Sequence, residues 1–469
     1  MDVAEVHLPG ELLGLIIGSL DKGDIKQCTL LSHHWRASSR PVLFRAIVLR
    51  PQILPASHGQ ECTSGCDTDN AAHNRLKAFH QFLQYEDYGD VAALIKDITV
   101  GDRDGPLWLD LFVSDIDPVL ARLPSLESVC FTSIILHPCL PGFSLTGWRN
   151  PRPLTRLSLD FMALYPPSWA TTYTSALVVD VPDASDLSVD CCFIDLLNMF
   201  SAVKQLHLMD VQFNWPGLDS PYSIDLVGRY WHNPPLARAA GRTLMPTFSI
   251  MDIVSDIDAV YTHADLFSLL ECAHFPDLRS LAIKDWECVQ RAFLGRAGHT
   301  LTYLHITVDV RISASFHELL PDEYNLGCCR SLKSLRITIP MYLDPWIDDR
   351  VDSNEFEEEY GRLLNVVKSS PTNLKDLLID FEYSNPVAYD GPGPAYLEAL
   401  DWATLDKTLV SRAGLKRVTV QFRYSCTLSQ QQKDWWSAFR EEMEVARHGL
   451  PQVNANNRLR LRTEPASTR

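Results

Sequence analysis

At 469 residues the chain is long enough for more than one domain or for a repeat array, and its 46% hydrophobic and 22% charged residues are those of a folded protein. A net charge of -17 at pH 7 argues against a general nucleic-acid binder, which needs a basic stripe to neutralise phosphates. No apolar run approaches a membrane span, and Asp2 and Glu5 oppose a signal peptide.

Residues 1–50 hold six Lys/Arg and five Asp/Glu, so the acidity lies beyond them. Within that segment Leu8, Leu12, Leu13, Ile16, Ile17 and Leu20 fall at helical spacing, as do Ile25, Cys28, Leu31 and Trp35. Pro9 suits the first turn of a helix, where its missing N–H would be unbonded anyway. Asp24 is the expected cap of a second helix after a Lys22-Gly23 turn, Ser32 that of a third, and Pro41 is expected to bend the chain out of it. A stretch of about 40 residues buries too little surface to stand alone without a metal, disulfides or a partner. The pattern supplies neither disulfide pairs nor a metal motif, so the surplus apolar residues point to a partner surface.

This stretch resembles an F-box. The residues that carry the resemblance are Leu8-Pro9, Glu11-Leu12-Leu13, Ile16-Ile17, Leu20, Asp24-Ile25, Cys28, Leu31-Ser32, Trp35-Arg36, Pro41 and Leu43-Phe44, in order and without gaps. The resemblance implies docking to the small Skp adaptor, and through it to a cullin, in a Skp–cullin–F-box ubiquitin ligase. Leu8, Pro9, Leu12, Ile16, Leu20, Ile25 and Trp35 are the expected docking surface or its immediate support. An ordinary helical hairpin capping the next domain would use the same residues.

Residues 51–75, with Pro51, Pro55, Gly59 and Gly65, read as a loop or linker. Beyond it a Leu-x-x-Leu-x-Leu pattern recurs from Ile95, Leu126, Leu154, Val203, Leu278, Leu301, Leu332, Leu374 and Leu415, with a weaker tenth from Ala184. The last two apolar positions are two apart and so share one face of a short strand. Helical stretches such as 264–273 and 355–368 lie between them, which implies stacked strand–helix units with a parallel sheet. The array resembles a degenerate leucine-rich repeat. It departs from that family in its intervals of 31, 28, 49, 75, 23, 31, 42 and 41 residues. It also lacks the asparagine or cysteine expected beyond the last apolar position, where Arg103, Ile134, Met162, Val211, Trp286, Asp309, Pro340, Glu382 and Arg423 stand. With no asparagine ladder, the turns must be satisfied another way.

The expected fold is therefore α/β: a three-helix F-box over 1–50, a linker over 51–75, an irregular solenoid with a parallel sheet over 76–430, and a C-terminal helix with a mobile tail over 431–469. The tail is taken to begin at Asn454, after a helix over 433–448. The unrelated strands of an ordinary α/β domain would show the same apolar spacing.

Candidate chemistry is sparse. His58, Cys62, Cys66 and His73 are zinc-ligand types, but their spacing fits no standard pattern, and no metal is expected. Asp252, Asp256 and Asp258 alternate with apolar residues and read as solvent-facing positions. Residues 344–359 carry eight acidic side chains against Arg350 alone, the mark of a solvated segment. No phosphate loop, nucleophile elbow or His-Glu-x-x-His motif occurs, so neither catalysis nor a cofactor is expected. Twelve scattered cysteines, several adjacent, suit a reduced cytoplasmic or nuclear compartment.

The function these features imply is a non-catalytic substrate-recognition adaptor of a ubiquitin ligase. Its partners would be Skp, a cullin and a protein target, without nucleic acid or membrane. Target contacts are expected at strand positions between the buried ones: Arg156, Asp160, His207, Lys284, Tyr303, His305, Arg336, Asp380 and Arg417. A Skp-binding scaffold that never joins a cullin, or a solenoid enzyme or small-molecule receptor, are the alternatives.

Overall fold

The computed structural model describes residues 10–51, 66–85, 89–103, 108–137, 151–164, 192–213, 248–256, 275–283, 291–308, 326–342, 353–384, 397, 400–425 and 432–465. The chain divides into two compact units, Met1–Phe248 and Ser249–Arg469. Both are α/β, and the strand pairs within each are parallel. No helix among the described residues is long and apolar enough to cross a membrane.

The first unit opens with three helices, α1 (Gly10–Ser19), α2 (Lys22–Leu31) and α3 (His33–Phe44). Asp21, not Asp24, caps α2: its carboxylate accepts the Asp24 N–H at 2.8 Å, so Lys22 and Gly23 already lie in the first turn. Ser32 caps α3 as expected, accepting from the Trp35 N–H at 3.3 Å. Pro41 does not end α3. It sits in the last turn, where few helical bonds lie beyond it, and the helix runs on to Phe44.

The rest of this unit alternates strands and helices: β1 (Ala46–Leu49), α4 (Cys66–Gln84), α5 (Gly89–Leu94), β2 (Asp97–Gly101), β3 (Leu109–Phe112), α6 (Val113–Ala121), β4 (Ser128–His137), β5 (Arg152–Leu164), α7 (Cys192–Asn198) and β6 (Phe200–Phe213). The sheet order is β1-β2-β4-β5-β6, with β3 beside the far half of β4. Two expectations change here. The segment 66–75 is helical rather than loop, since Asp67 and Asp69 stand in a first turn that favours acidic residues and Ala71-Ala72 follow. The last residues of the expected F-box segment form β1, paired in register with β2, so the sheet begins at Ala46.

The second unit contains β7 (Ser249–Asp256), β8 (Ser280–Ile283), α8 (Arg291–Ala297), β9 (Tyr303–Thr307), β10 (Ser334–Tyr342), α9 (Ser353–Ser369), β11 (Asp376–Ser384), α10 (Trp402–Ser411), β12 (Arg417–Ser425), α11 (Gln432–Gly449), α12 (Pro451–Ala455) and β13 (Leu459–Pro465), the strands side by side in chain order. The expected mobile tail is instead strand β13. Leu459 and Leu461 pair with Val418 and Val420 of β12, so the alternating Leu-Arg-Leu-Arg extends the sheet by one strand. The weaker repeat from Ala184 and the expected helix over 264–273 lie outside the described residues.

The recurring apolar pattern is the core. All three apolar positions of each of the nine repeats are buried. They also stack across the sheet: Ile98, Val129, Leu157 and Leu206 stand opposite one another in the first unit. Leu281, Leu304, Leu335, Leu377 and Val418 do so in the second. Turns without asparagine are satisfied by the backbone. The carbonyl just before a strand accepts two N–H groups from the next one, as Lys333 does from Lys375 at 2.8 Å and Asp376 at 3.0 Å, and Lys96 does from Glu127 and Ser128.

The units differ in how their strands continue. In the first, the register passes from Thr132–Asp160–Met209 straight to Ile134–Met162–Val211. The skipped residues Ser133, Phe161 and Asp210 all have left-handed backbone, with φ of 54°, 50° and 47°. Each absorbs one residue, so the next apolar side chain returns to the core three positions after the last instead of two. That is why Ile134, Met162 and Val211 occupy the place of the expected asparagine. In the second unit Ile337, Ile339 and Met341 keep the ordinary alternation.

Candidate functional site

The N-terminal helices sort their leucines and isoleucines into two stripes. Leu13, Ile17 and Ile25 form a buried cluster, with Leu20, Trp35 and Leu43 packed against it. Leu12 and Ile16, one residue earlier on α1, face out at 49% and 39% exposure. A helix advances about 100° per residue, so Leu12–Leu13 and Ile16–Ile17 split between the faces. Of the residues expected to dock, Leu12 and Ile16 are exposed, Ile25 is core, and Leu20 and Trp35 pack against the core cluster. Leu8 and Pro9 lie outside the described residues. Leu15, Leu30 and Leu31 are more exposed than any described residue expected there, at 72%, 73% and 65%. The signal for Leu15 was in the sequence: Leu12, Leu13, Leu15, Ile16 and Ile17 exceed what one helix face can bury.

A second site lies on the outward face of the C-terminal unit's sheet. Asp380 of β11 is fully buried. Its carboxylate accepts from the guanidinium of Arg336 on β10 at 2.5 Å and from Arg423 Nε on β12 at 2.7 and 2.9 Å. Arg423 also reaches Glu382 at 2.8 Å. Thr338 Oγ1, 3.4 Å from Asp380, is bonded to His305 Nε2 of β9 at 2.9 Å. Four parallel strands therefore place His305, Arg336, Asp380 and Arg423 in one network. Arg336 Nε is left buried without a hydrogen-bond partner.

Three residues expected to meet a target, His305, Arg336 and Asp380, are brought together here. Asp380 does not face solvent as the alternation implied, because two guanidinium groups close over it. Arg423 and Glu382 were missed as members, although the sequence already marked them as departures from the repeat consensus. Tyr303 is half-buried, and Arg417 is exposed and paired with Asp376 at 2.9 Å. Lys284 lies outside the described residues.

The first unit carries the other expected contacts. Arg156 is exposed and lies 3.4 Å from His207 Nδ1. Asp160, like Asp380, is buried rather than outward, 3.6 Å from Arg103, whose guanidinium sits over the Phe161 ring at 5.3 Å. Burial raises the Asp160 carboxyl above its ordinary range and Arg103 opposes that. His137 and Asp110 form a half-buried pair at 2.7 Å.

No group of three or more His, Cys, Asp or Glu suited to a metal occurs among the described residues. Cys66 and His73 fall on α4, two turns apart, while His58 and Cys62 lie outside the described residues. In the C-terminal unit a groove of about 600 Å³ runs between α10 and α11, lined by Trp402, Arg440, Glu444 and His448. Gly449 also lines it, and a Cβ there would stand 2.5 Å from the Trp402 ring.

No protein-family model and no curated protein matches this chain.

Proposed function

We propose that the protein is a substrate-recognition adaptor of a Skp–cullin–F-box ubiquitin ligase. The observation that carries this reading is the set of large apolar side chains left open on α1 and on α2. Leu12, Leu15, Ile16, Leu30 and Leu31 are all exposed beside a complete internal cluster of Leu13, Ile17 and Ile25. Fully burying a leucine or isoleucine side chain is worth about 1.5–3 kcal/mol, so five left in water favour association with a partner. The same segment carries the F-box resemblance, which supplies the partner's identity as Skp. The strand–helix units behind it would present the target, and the adaptor would act by raising the local concentration of target lysines near the ubiquitin carrier. No residue of the chain has a catalytic role in this reading.

The test is co-expression with Skp and a cullin, comparing the intact chain with a Leu15→Asp/Leu30→Asp variant. Both positions are solvent-exposed, so the variant should fold, as judged by circular dichroism, and lose Skp. Retained Skp binding by that folded variant, or none by the intact chain, overturns the reading. Skp binding without cullin would favour the scaffold role.

A further inference from the structure

The C-terminal unit carries a feature at odds with the chain's net charge of -17. Lys333, Lys375 and Lys416 immediately precede β10, β11 and β12 and stand directly side by side, since the Lys375 N–H donates to the Lys333 carbonyl and the Lys416 N–H to that of Lys375. The column continues through Thr302 to Arg279 in the same register. All four cations are exposed. None of the three lysines makes an ion pair with a described residue, and Asp376, at the next position along β11, is already held by Arg417.

Like charges on adjacent strands, about 4.8 Å apart, repel and weaken a sheet. No described carboxylate is ion-paired to the three lysines. Opposite charge from outside would compensate them.

We propose that the Lys333–Lys375–Lys416 ladder docks an acidic helical segment of a partner protein. Carboxylates on successive turns of one helix face are about 5–6 Å apart, close to the ladder's interval, whereas alternate residues of an extended strand are about 6.6–6.8 Å apart. A single-stranded nucleic acid fits less well, because it binds through aromatic platforms and the ladder's next positions on β10–β12 are Ser334, Asp376 and Arg417. In the adaptor reading this names the chemistry of the target, and it rests on that reading only for its biological setting.

The experiment is a titration of the full-length protein with an alanine-based helical peptide bearing glutamate at every fourth position. The same peptide with glutamine, an oligouridylate and phosphatidylserine vesicles are the comparators. The glutamate peptide should bind, weaken steeply as NaCl rises, and bind about tenfold less well to a Lys375→Glu variant. That variant places a carboxylate between two ammonium groups, so its melting temperature should hold or rise while binding falls, a combination that a purely structural role does not produce. Absence of binding, equal binding of the glutamine peptide, undiminished binding by Lys375→Glu, or tighter binding of the oligouridylate or vesicles would each overturn the assignment. No Skp is present, so such a failure leaves the docking of α1 and α2 untouched.

Discussion

Glu442 gives the C-terminal unit a pH-dependent stability that can be worked out from its surroundings. It lies on α11 at 1% exposure, its carboxyl beside the Tyr383 hydroxyl. Burial pushes its pKa up to about 8 from 4.5, with the nearby Tyr383 hydroxyl offsetting part of the effect. Tyr383 is itself pushed well above its ordinary range, first by burial and then by Glu442, so it stays neutral throughout. The folded unit therefore holds the Glu442 proton up to about pH 8, while the unfolded chain releases it near pH 4.5. The sign follows directly: between those values the folded state binds more protons, so stability is full below about pH 4.5 and falls as pH rises to about 8. At about 1.4 kcal/mol per pH unit, the loss reaches about 5 kcal/mol. Glu442→Gln removes the titrating proton with little change in shape. Urea unfolding of the full chain, followed from pH 5 to pH 9 by a probe in the C-terminal unit, should show the wild type declining while the Gln variant stays flatter and becomes the more stable of the two at pH 9. A wild-type decline that persists undiminished in Glu442→Gln would refute the reasoning.

Asp380→Asn leaves two guanidinium groups without their buried counter-charge and should cost about 3–5 kcal/mol in chemical denaturation. Gly101→Ala should destabilise the first unit by well over about 1 kcal/mol in thermal melts, since its φ is 104° and a Cβ would fall 1.8 Å from the Thr132 carbonyl oxygen. Truncation after Asn457 strips β13 from β12, so the amides of Val418 and its neighbours should exchange with solvent faster than in the intact chain, as read by hydrogen–deuterium exchange.

Much of the core was legible because strand burial has a period of two and is written locally. Every apolar position of the nine repeats is buried, and the intervening helices over 355–368 and 433–448 lie within α9 and α11. The repeat that was passed over shows the limit. Phe44-x-x-Ile47-x-Leu49 has the right spacing, and Ile47 and Leu49 pair with Ile98 and Val100, but Phe44 also completes the F-box-like segment. Similarly, β7 and β13 were not read as repeats: Ser255 stands where an apolar residue was sought in one, and Asn456 in the other.

The sequence by itself determined nine of the strands, which side of each of those is apolar, and that the first helices hold more leucine than they can bury. Only the tertiary structure decided that Leu13 turns inward and Leu12 outward, that Asp380 disappears between Arg336 and Arg423, and that three lysines from three repeats stand in one column. The physical reason is separation along the chain. Asp380 lies 44 residues from Arg336 and 43 from Arg423, across connections of unequal length. Local spacing fixes a strand's face, but it carries no record of which residues the neighbouring strands will bring alongside.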